Sequence, residues 1–181
     1  MSNVMPSLNN ISWERVDKED SVTYPCDDKN LPGNEIVFSK NFPTSSGLAK
    51  IVPTDLISPH ELPDQNFPFV LTTGRLLEHW HTGAMTRRSN TLDNIEPEAI
   101  VNMNRLDMKS LKLEPGNKVQ VQTRRGSIEL SVRQDTELPK GMIFIPFCFS
   151  EAAANKLTNP QLDPFGKIPE FKYCAANIEA C

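Results

Sequence analysis

Residues 72–88 bring together residue types that bind phosphate. The segment runs Thr72-Thr73-Gly74-Arg75, then Glu78-His79-Trp80-His81-Thr82-Gly83, then Met85-Thr86-Arg87-Arg88. Glycines allow a ligand to approach the backbone, hydroxyls donate and accept hydrogen bonds, and guanidinium groups pair with phosphate through two parallel bonds. This mixture predicts a binding loop for a phosphorylated ligand. The alternative for Arg87 and Arg88 is a solvated surface pair.

A second group of polar and aromatic residues follows in the C-terminal third. It includes Phe147, Asn155, Thr158, Asp163 and Phe171-Lys172. The Asn155 amide offers both a donor and an acceptor, which suits the edge of a fused heterocycle such as a pterin. The competing interpretation is an ordinary surface asparagine.

Other kinds of site lack their parts in this sequence. His79 and His81 have no neighbouring cysteine or acidic cluster to complete a zinc site, and the four cysteines include no CxxC pair. The sequence has no GxSxG elbow, no GxGxxG motif and no GxxxxGK[ST] motif. We therefore predict no metal ligands and no catalytic residue in this chain.

Charge and hydropathy narrow the class of protein further. Lys and Arg number 19 against 23 Asp and Glu, a net charge of −4, so neither nucleic acid nor an anionic membrane is an expected partner. No apolar run approaches the roughly 18–20 residues of a spanning helix, and the N-terminus lacks the features of a signal peptide. These properties predict a soluble, cytoplasmic protein without structural disulfides.

Prolines divide the chain into two regions. Eight of the 15 prolines lie in the first 70 residues, where each removes a backbone donor and disfavours helix in the preceding residue. Residues 1–66 are thus predicted to be an extended, mostly irregular arm with short strands at 35–38 and 49–52.

From Phe67 onward the pattern predicts short strands. The expected elements are a strand from Phe69 halted by Gly74, a strand at 98–104, a helix at 108–113 capped by Asp107, a hairpin with its turn at Arg125-Gly126, a strand at 142–147, and a helical turn at 150–157 capped by Ser150. The hairpin alternates apolar and polar residues on both arms, Val119, Val121 and Thr123 facing Ile128, Leu130 and Val132. Several short strands with two short helices predict a small closed barrel decorated by loops.

Several of these segments together carry a family resemblance. TGRLLEHWHTGAMTRR, NKLTNPQLDP and EFKYCA occur in the order and at about the spacing of the C-terminal dinucleotide-binding domain of the molybdopterin oxidoreductases, the dimethyl sulfoxide reductase family. In the lead-in, MPSLNNISWERV, PGNEIVF, FPTSSGLAKIVP and ELPDQNFPFVLTTGR resemble the run before this domain in cytoplasmic formate dehydrogenase α chains. Nitrate reductases share the stretch from TGR to TRR.

The resemblance implies a fold, a cofactor and a set of site residues. The fold is a double-psi β-barrel over residues 67–181, preceded by the arm over 1–66, and the cofactor is molybdopterin guanine dinucleotide with Mo or W. Residues 73–82 are implied to wrap the phosphates and guanine, Asn155 and Lys172 to touch the pterin, and Phe147 to line the approach to the metal. The full implied set is Thr73, Gly74, Arg75, Leu76, Leu77, Glu78, His79, Trp80, His81, Thr82, Met85, Thr86, Phe147, Asn155, Phe171 and Lys172. Cys148 departs from the family, which often has His at that position.

The resemblance also limits what the chain does alone. The family's metal-ligating Cys or selenocysteine, its catalytic His and Arg, and its iron–sulfur cysteines belong to regions that this sequence does not contain. We therefore expect the chain to be part of a formate dehydrogenase, with the remaining domains or catalytic chain as its partner, and to be inactive by itself. The alternatives are the same domain of a nitrate reductase, a non-catalytic double-psi barrel that binds a protein partner, and a non-functional remnant that exposes apolar surface.

Overall fold

The computed structural model describes residues 2–181. The chain divides into two compact units, one ending at Leu56 and the other running from Ile57 to Cys181. No helix among residues 2–181 is long and apolar enough to cross a membrane.

The first unit contains little regular structure. Among residues 2–56 the α-helix is α1 (Trp13–Glu19), which follows a short 3-10 turn at Pro6–Leu8. Its N-cap is Ser12, whose hydroxyl accepts a hydrogen bond from the Arg15 amide at 3.1 Å. The Arg15 guanidinium donates to the carbonyls of Asn10 at 2.9 Å and Leu31 at 2.7 Å. This unit is therefore held mainly by polar contacts around one arginine rather than by an apolar core.

Two strands predicted in this unit are absent, and one helix was missed. Residues 35–38 and 49–52 form bends and irregular backbone. Neither segment has a partner strand, and an unpaired strand leaves its backbone donors and acceptors open. The predictions at both segments were wrong. Helix α1 was not predicted, although Ser12 and the Arg15/Glu19 pair at i,i+4 are local signals for it.

The second unit is a closed six-stranded barrel. Its strands are β1 (Phe69–Gly74), β2 (Ile100–Met103), β3 (Lys118–Thr123), β4 (Gly126–Gln134), β5 (Met142–Pro146) and β6 (Cys174–Ala180). The helices α2 (Asn90–Ile95) and α3 (Arg105–Ser110) and the 3-10 turns Thr86–Arg88 and Ala154–Lys156 lie in the connections. The predicted fold class, a mainly β barrel with short helices, is confirmed.

Two parallel strand pairs determine where the barrel places its loops. The order around the barrel is β1-β5-β2-β4-β3-β6. Strand β1 runs parallel to β5, with Gly74 opposite Pro146, and β2 runs parallel to β4. The remaining neighbours are antiparallel. Because β1 and β5 are parallel neighbours, the loop after Gly74 and the loop after Pro146 leave the barrel side by side.

The core of the barrel comes from the alternating positions of its strands. Leu71, Val119, Val121, Ile143 and Ile145 have no exposed surface. Burying each such side chain contributes about 1.5–3 kcal/mol relative to leaving it exposed. The alternation of buried and exposed residues along β3 confirms the predicted wet and dry faces of the hairpin.

Two local predictions shift in the structure. The N-cap of helix α3 is Asn104 rather than Asp107. The Asn104 Oδ1 accepts a hydrogen bond from the Leu106 amide at 2.8 Å. The buried Asp107 carboxylate instead accepts from the Gly141 amide at 2.7 Å. The hairpin pairs Thr123 with Gly126, so Arg124 and Arg125 form the turn.

The predicted helical turn at 150–157 is shorter than expected. Only Ala154–Lys156 is helical, and its N-cap residue, Ala153, makes no side-chain cap bond. The Ser150 hydroxyl lies instead 3.5 Å from the Glu151 carboxylate. Ser150 is therefore not a helix cap.

Candidate functional site

The candidate site lies where β1 and β5 end. The Phe147 amide donates to the Gly74 carbonyl at 3.2 Å, which extends the parallel pairing one residue past the strands. A third segment joins them, because the Thr73 hydroxyl donates to the Phe171 carbonyl at 2.8 Å and the Lys172 ammonium donates to the Thr73 carbonyl at 2.9 Å. The structure thus brings together Thr73, Gly74, Phe147, Phe171 and Lys172, which are far apart in the sequence.

The loop after Gly74, residues 75–88, continues the site along one side. The His81 ring lies 6.5 Å from the Phe147 ring and 4.5 Å from the Trp80 ring, centroid to centroid. The Arg75 guanidinium lies 5.9 Å from the centre of the Trp80 ring, within cation–π range. Ring and guanidinium contacts therefore run from Arg75 through Trp80 and His81 to Phe147.

Two left-handed residues set the course of this loop. His81 has φ of 48° and Gly83 has φ of 72°. A Cβ on Gly83 would lie 2.6 Å from both the Arg87 Cγ and the Cys148 carbonyl oxygen. Likewise, a Cβ on Gly74 would lie 2.5 Å from the Phe144 ring. Packing within the chain therefore requires glycine at both positions. Close approach of a ligand is not needed to account for the two glycines.

The remaining loop residues predicted to bind differ in exposure. Leu77, Trp80, Thr82 and Met85 are exposed, Leu76 and Glu78 are half-buried, and the half-buried Thr86 closes the loop by accepting from the Trp80 amide at 3.0 Å. His79 differs from all of these, since its side chain is wholly buried and its Nε2 lies 2.8 Å from the Glu96 carbonyl. Its imidazole faces the protein interior, so any contact of His79 with a ligand would be through the backbone.

Asn155 lies on the 3-10 turn Ala154–Lys156 with its side chain exposed. Among residues 2–181 no side-chain hydrogen bond of Asn155 joins it to Lys172. The connection runs through Asn159, whose Nδ2 donates to the Tyr173 carbonyl at 3.3 Å. The structure thus ties the segment that carries Asn155 to the segment that carries Lys172, and leaves the Asn155 amide free to bind.

The Cys148 thiol is not a reactive group of the candidate site. It is 2% exposed, and burial raises the pKa of its thiol to about 11. The thiol is therefore protonated at neutral pH and is not a nucleophile. Residues 2–181 also contain no group of three or more His, Cys, Asp or Glu side chains placed to hold a metal ion.

The side chains that anchor the loop were not identified from the sequence. The Arg87 guanidinium bonds to Asp93 and Glu151 at 2.7 Å each. Glu96, whose carbonyl faces His79, is held by the Arg133 guanidinium through bonds of 2.9 and 2.8 Å. Except for Asp93, these partners lie 17 to 64 residues apart, so no local pattern could have indicated them.

The donor set fits a dinucleotide joined to a flat heterocycle. Arg75 provides a cation for phosphate, Trp80 and Phe147 provide aromatic faces, and the exposed Asn155 amide and Lys172 ammonium can pair with a ring edge. Within this set, the Lys172 side chain already forms a hydrogen bond, to the Thr73 carbonyl. Among residues 2–181, the side chains of the other members form no hydrogen bond or ion pair that such a ligand would have to replace.

Comparison with known proteins assigns the class. The sequence profile of the family described as Molydopterin dinucleotide binding domain matches residues 69–175. This match covers more than half of the chain and coincides with the barrel, so the chain belongs to the molybdopterin dinucleotide-binding family.

Two relatives of known function are alpha subunits of formate dehydrogenases. The F420-dependent formate dehydrogenase subunit alpha of Methanocaldococcus jannaschii is 44% identical over 97% of this chain, and the F420-dependent formate dehydrogenase 2 subunit alpha of Methanococcus maripaludis is 37% identical over 99%. In both cases the match covers 26% of the relative. The chain therefore spans about a quarter of the length of these relatives.

A solved structure supports the fold alone. Acetylene hydratase from Pelobacter acetylenicus superposes on 64% of this chain with a TM-score of 0.58 and 21% sequence identity, over 18% of its own length. The barrel architecture is thus shared with a much longer protein.

Proposed function

We propose that this chain provides one wall of the binding site for molybdopterin guanine dinucleotide in a Mo- or W-dependent formate dehydrogenase. In this proposal residues 67–181 are the binding domain and residues 1–66 are its lead-in segment. The remaining domains of the enzyme are the partner, and the assembly is cytoplasmic. Formate oxidation belongs to the whole assembly and not to this chain alone.

One observation carries the proposal: the Lys172 ammonium and the Phe171 carbonyl both bond to Thr73, at the junction of the β1 and β5 ends. This arrangement places the predicted pterin-contacting residue beside the loop predicted to hold the phosphates. The family match over the barrel and the formate dehydrogenase relatives support the same assignment.

The residues divide the work of binding. Arg75 can pair with a phosphate, Trp80 and Phe147 offer flat faces to the heterocycles, and Asn155 with Lys172 fits the polar edge of a pterin. When bound, the cofactor supplies the two-electron chemistry that formate oxidation requires. The chain's own residues bind and orient it and exclude water from one side.

The test replaces the two residues proposed to contact the pterin. The chain is co-expressed with the complementary N-terminal portion of a relative, and Asn155→Ala and Lys172→Ala are compared with the unmodified assembly. We expect each to lower the guanine nucleotide released by acid and the Mo or W content per protein by several-fold, roughly the effect of one lost hydrogen bond. Lys109→Ala, an exposed lysine on α3, is the matched control.

Activity assays then separate the candidate substrates. The unmodified assembly is assayed with formate, using F420 and a viologen dye as acceptors, and separately with nitrate. Formate oxidation supports the proposal, whereas nitrate reduction without formate oxidation would overturn the substrate. Wild-type cofactor content in both variants would overturn the binding site. Capture of a protein partner without any pterin would favour the non-catalytic module instead.

A further inference from the structure

The three arginines of the 75–88 loop lie in different environments. Arg75 and Arg88 are exposed, and neither forms an ion pair within residues 2–181. Arg87 instead donates from Nε to Asp93 and from Nη1 to Glu151, both at 2.7 Å, and its side chain is 23% exposed. The sequence alone left Arg87 and Arg88 with the same two interpretations, phosphate binding or a solvated surface pair.

Arg87 also packs against the turn that follows β5. Its guanidinium lies 4.7 Å from the centre of the Phe149 ring, which is 1% exposed. The buried His79 ring meets Phe149 at 5.8 Å in an edge-on arrangement. Phe149 is therefore held between both ends of the loop, with His79 near the start and Arg87 near the end.

The backbone around Gly83 depends on the same arrangement. The Arg87 amide donates to the Gly83 carbonyl at 3.0 Å, and the Gly83 amide donates to the Trp80 carbonyl at 2.9 Å. The space where a Gly83 Cβ would lie is filled by the Arg87 side chain and the Cys148 carbonyl. Residues 80–88 thus pack directly on residues 148–151.

The local charge at Arg87 opposes phosphate. One guanidinium faces two carboxylates, so the group of Arg87, Asp93 and Glu151 has a formal charge of −1. A phosphate at Arg87 would have to displace a carboxylate from a charge-assisted bond and leave it without a partner. Arg75 and Arg88 face no such competition.

We infer that Arg87 is a positioning residue, which holds the 75–88 loop against residues 148–151 before any ligand binds, and that the phosphate-binding cations of the loop are Arg75 and Arg88. The identity of the ligand rests on the proposed function. The anchoring of the loop does not, because every contact that carries it lies within this chain. A loop ordered in advance loses less conformational entropy on binding, which raises affinity.

The first experiment uses the full chain without cofactor and measures amide hydrogen exchange. Arg87→Gln is expected to raise exchange at the amides of Gly83, Arg87 and Arg88 by about tenfold or more, because local opening becomes easier. Arg87→Lys should give an intermediate value, since an ammonium can reach one carboxylate but does not bridge both. Arg75→Gln and Arg88→Gln are the matched controls and should leave these amides unchanged.

Barrel amides report whether the variants remain folded. Exchange at Val119 and Val121, which lie in the core, should be unchanged in every variant. If Arg87→Gln unfolds the barrel, Arg87→Lys still tests the inference. A partial increase in exchange that is confined to residues 80–88 in this variant supports anchoring by Arg87. Unchanged loop exchange in both Arg87 variants overturns the inference.

A second experiment places Arg87 and Glu151 in one double-mutant cycle. Arg87→Gln and Glu151→Gln are expected to raise loop exchange separately, and the double variant should exceed the larger single effect only slightly, because both remove the same ion pair. Fully additive effects would show that Arg87 does not act through Glu151 and would contradict the inference.

Cofactor retention in the co-expressed assembly then separates positioning from direct binding. Arg75→Gln should lower guanine nucleotide content with no change in loop exchange, whereas Arg87→Gln should change both, with Arg87→Lys recovering part of each. Lower retention in Arg87→Gln with unchanged loop exchange would make Arg87 a phosphate ligand. If the unmodified assembly binds no guanine nucleotide, the proposed function fails while the exchange result still stands.

Discussion

Arginine side chains connect parts of the barrel unit that are distant in the sequence. Arg125, at the hairpin turn, donates to the Glu61 carboxylate at 2.7 Å and to the Leu157 carbonyl at 2.8 and 3.1 Å. Arg133 on β4 holds Glu96, which in turn holds His79. Planar guanidinium groups suit this role because their donors point in several fixed directions. These arginines tie the loops of the barrel unit to one another.

The ion pair of Glu151 with Arg87 predicts a pH dependence. Burial acts to raise the pKa of Glu151, but its own backbone amide and Arg87 outweigh this, and the pKa is lowered overall. A lowered folded-state pKa means that the stabilising contribution is fully present above the unfolded pKa, about 4.3 for glutamate. It is lost as pH falls through the lower folded value.

Loop protection should therefore hold at neutral and mildly acidic pH and decline only below the ordinary glutamate range. Protection factors at the Gly83 and Arg88 amides, corrected for intrinsic exchange, measure this. In Glu151→Gln the decline should be smaller, since the variant cannot titrate there. A decline centred near pH 6 in the unmodified chain would assign the dependence to a histidine and contradict this account.

Among the elements, the loop between the 3-10 turn Ala154–Lys156 and β6 has its own supporting structure. The Asp163 carboxylate accepts from the amides of Phe165 at 3.0 Å, Gly166 at 2.7 Å and Ile168 at 2.6 Å. These backbone donors lower the pKa of Asp163, with Ile168 contributing most. A bridge between Leu162 and Pro169 closes the loop. The loop that leads into Phe171 and Lys172 is thus ordered by one carboxylate.

Asp163→Asn should loosen this loop and leave the barrel intact. The amide retains one oxygen acceptor but loses the charge that strengthens three backbone bonds. Phe165 is 93% exposed, so chymotrypsin cleavage after it should become several-fold faster, while thermal unfolding of the barrel changes little. Glu129→Gln, exposed on β4, is the control. Equal cleavage rates in all three proteins would mean that the carboxylate does not order the loop.

The parallel pairing of β1 with β5 is the element-level reason for the site. The pairing brings together the loops that follow Gly74 and Pro146. These two residues lie opposite each other in register but are 72 positions apart in the sequence. The parallel pair β2 and β4 is the barrel's other such pair among the described strands. Each strand's apolar pattern could be recognised from the sequence, but a pattern does not specify which strand lies beside which.

At the scale of the whole molecule, the apolar core belongs to one unit. The buried core cluster extends from Phe69 to Ile178. Among residues 2–56, only Cys26 is buried. A unit with so little buried apolar surface gains little from the hydrophobic effect, which scales with the area removed from water.

Residues 57–181 should consequently fold without the first 56 residues. Urea unfolding followed by circular dichroism is expected to give one cooperative transition for this piece, and none for residues 1–56. Leu130→Ala, which leaves a cavity at a 1% exposed position, should lower the free energy of unfolding of residues 57–181 by about 2–5 kcal/mol. Absence of a cooperative transition in residues 57–181 would show that the barrel needs the other segment.

The sequence by itself determined the strands of the barrel and the class of fold, and it predicted the region of the site. Alternation along Val119–Thr123 and Ile128–Val132 and the apolar run after Phe69 are local patterns, and local patterns fix which face of a strand is buried. The family resemblance added the ligand class, which the profile match over residues 69–175 confirms.

Only the tertiary structure decided what the individual polar residues do. It assigned Arg87 to Asp93 and Glu151, moved the cap of α3 to Asn104, and turned the His79 ring toward the Glu96 carbonyl. The reason is that a charged or polar side chain binds whichever partner the topology brings within about 3 Å. Glu151 and Glu96 are distant in the sequence from Arg87 and His79, so these two pairings depend on strand order and register rather than on any local pattern.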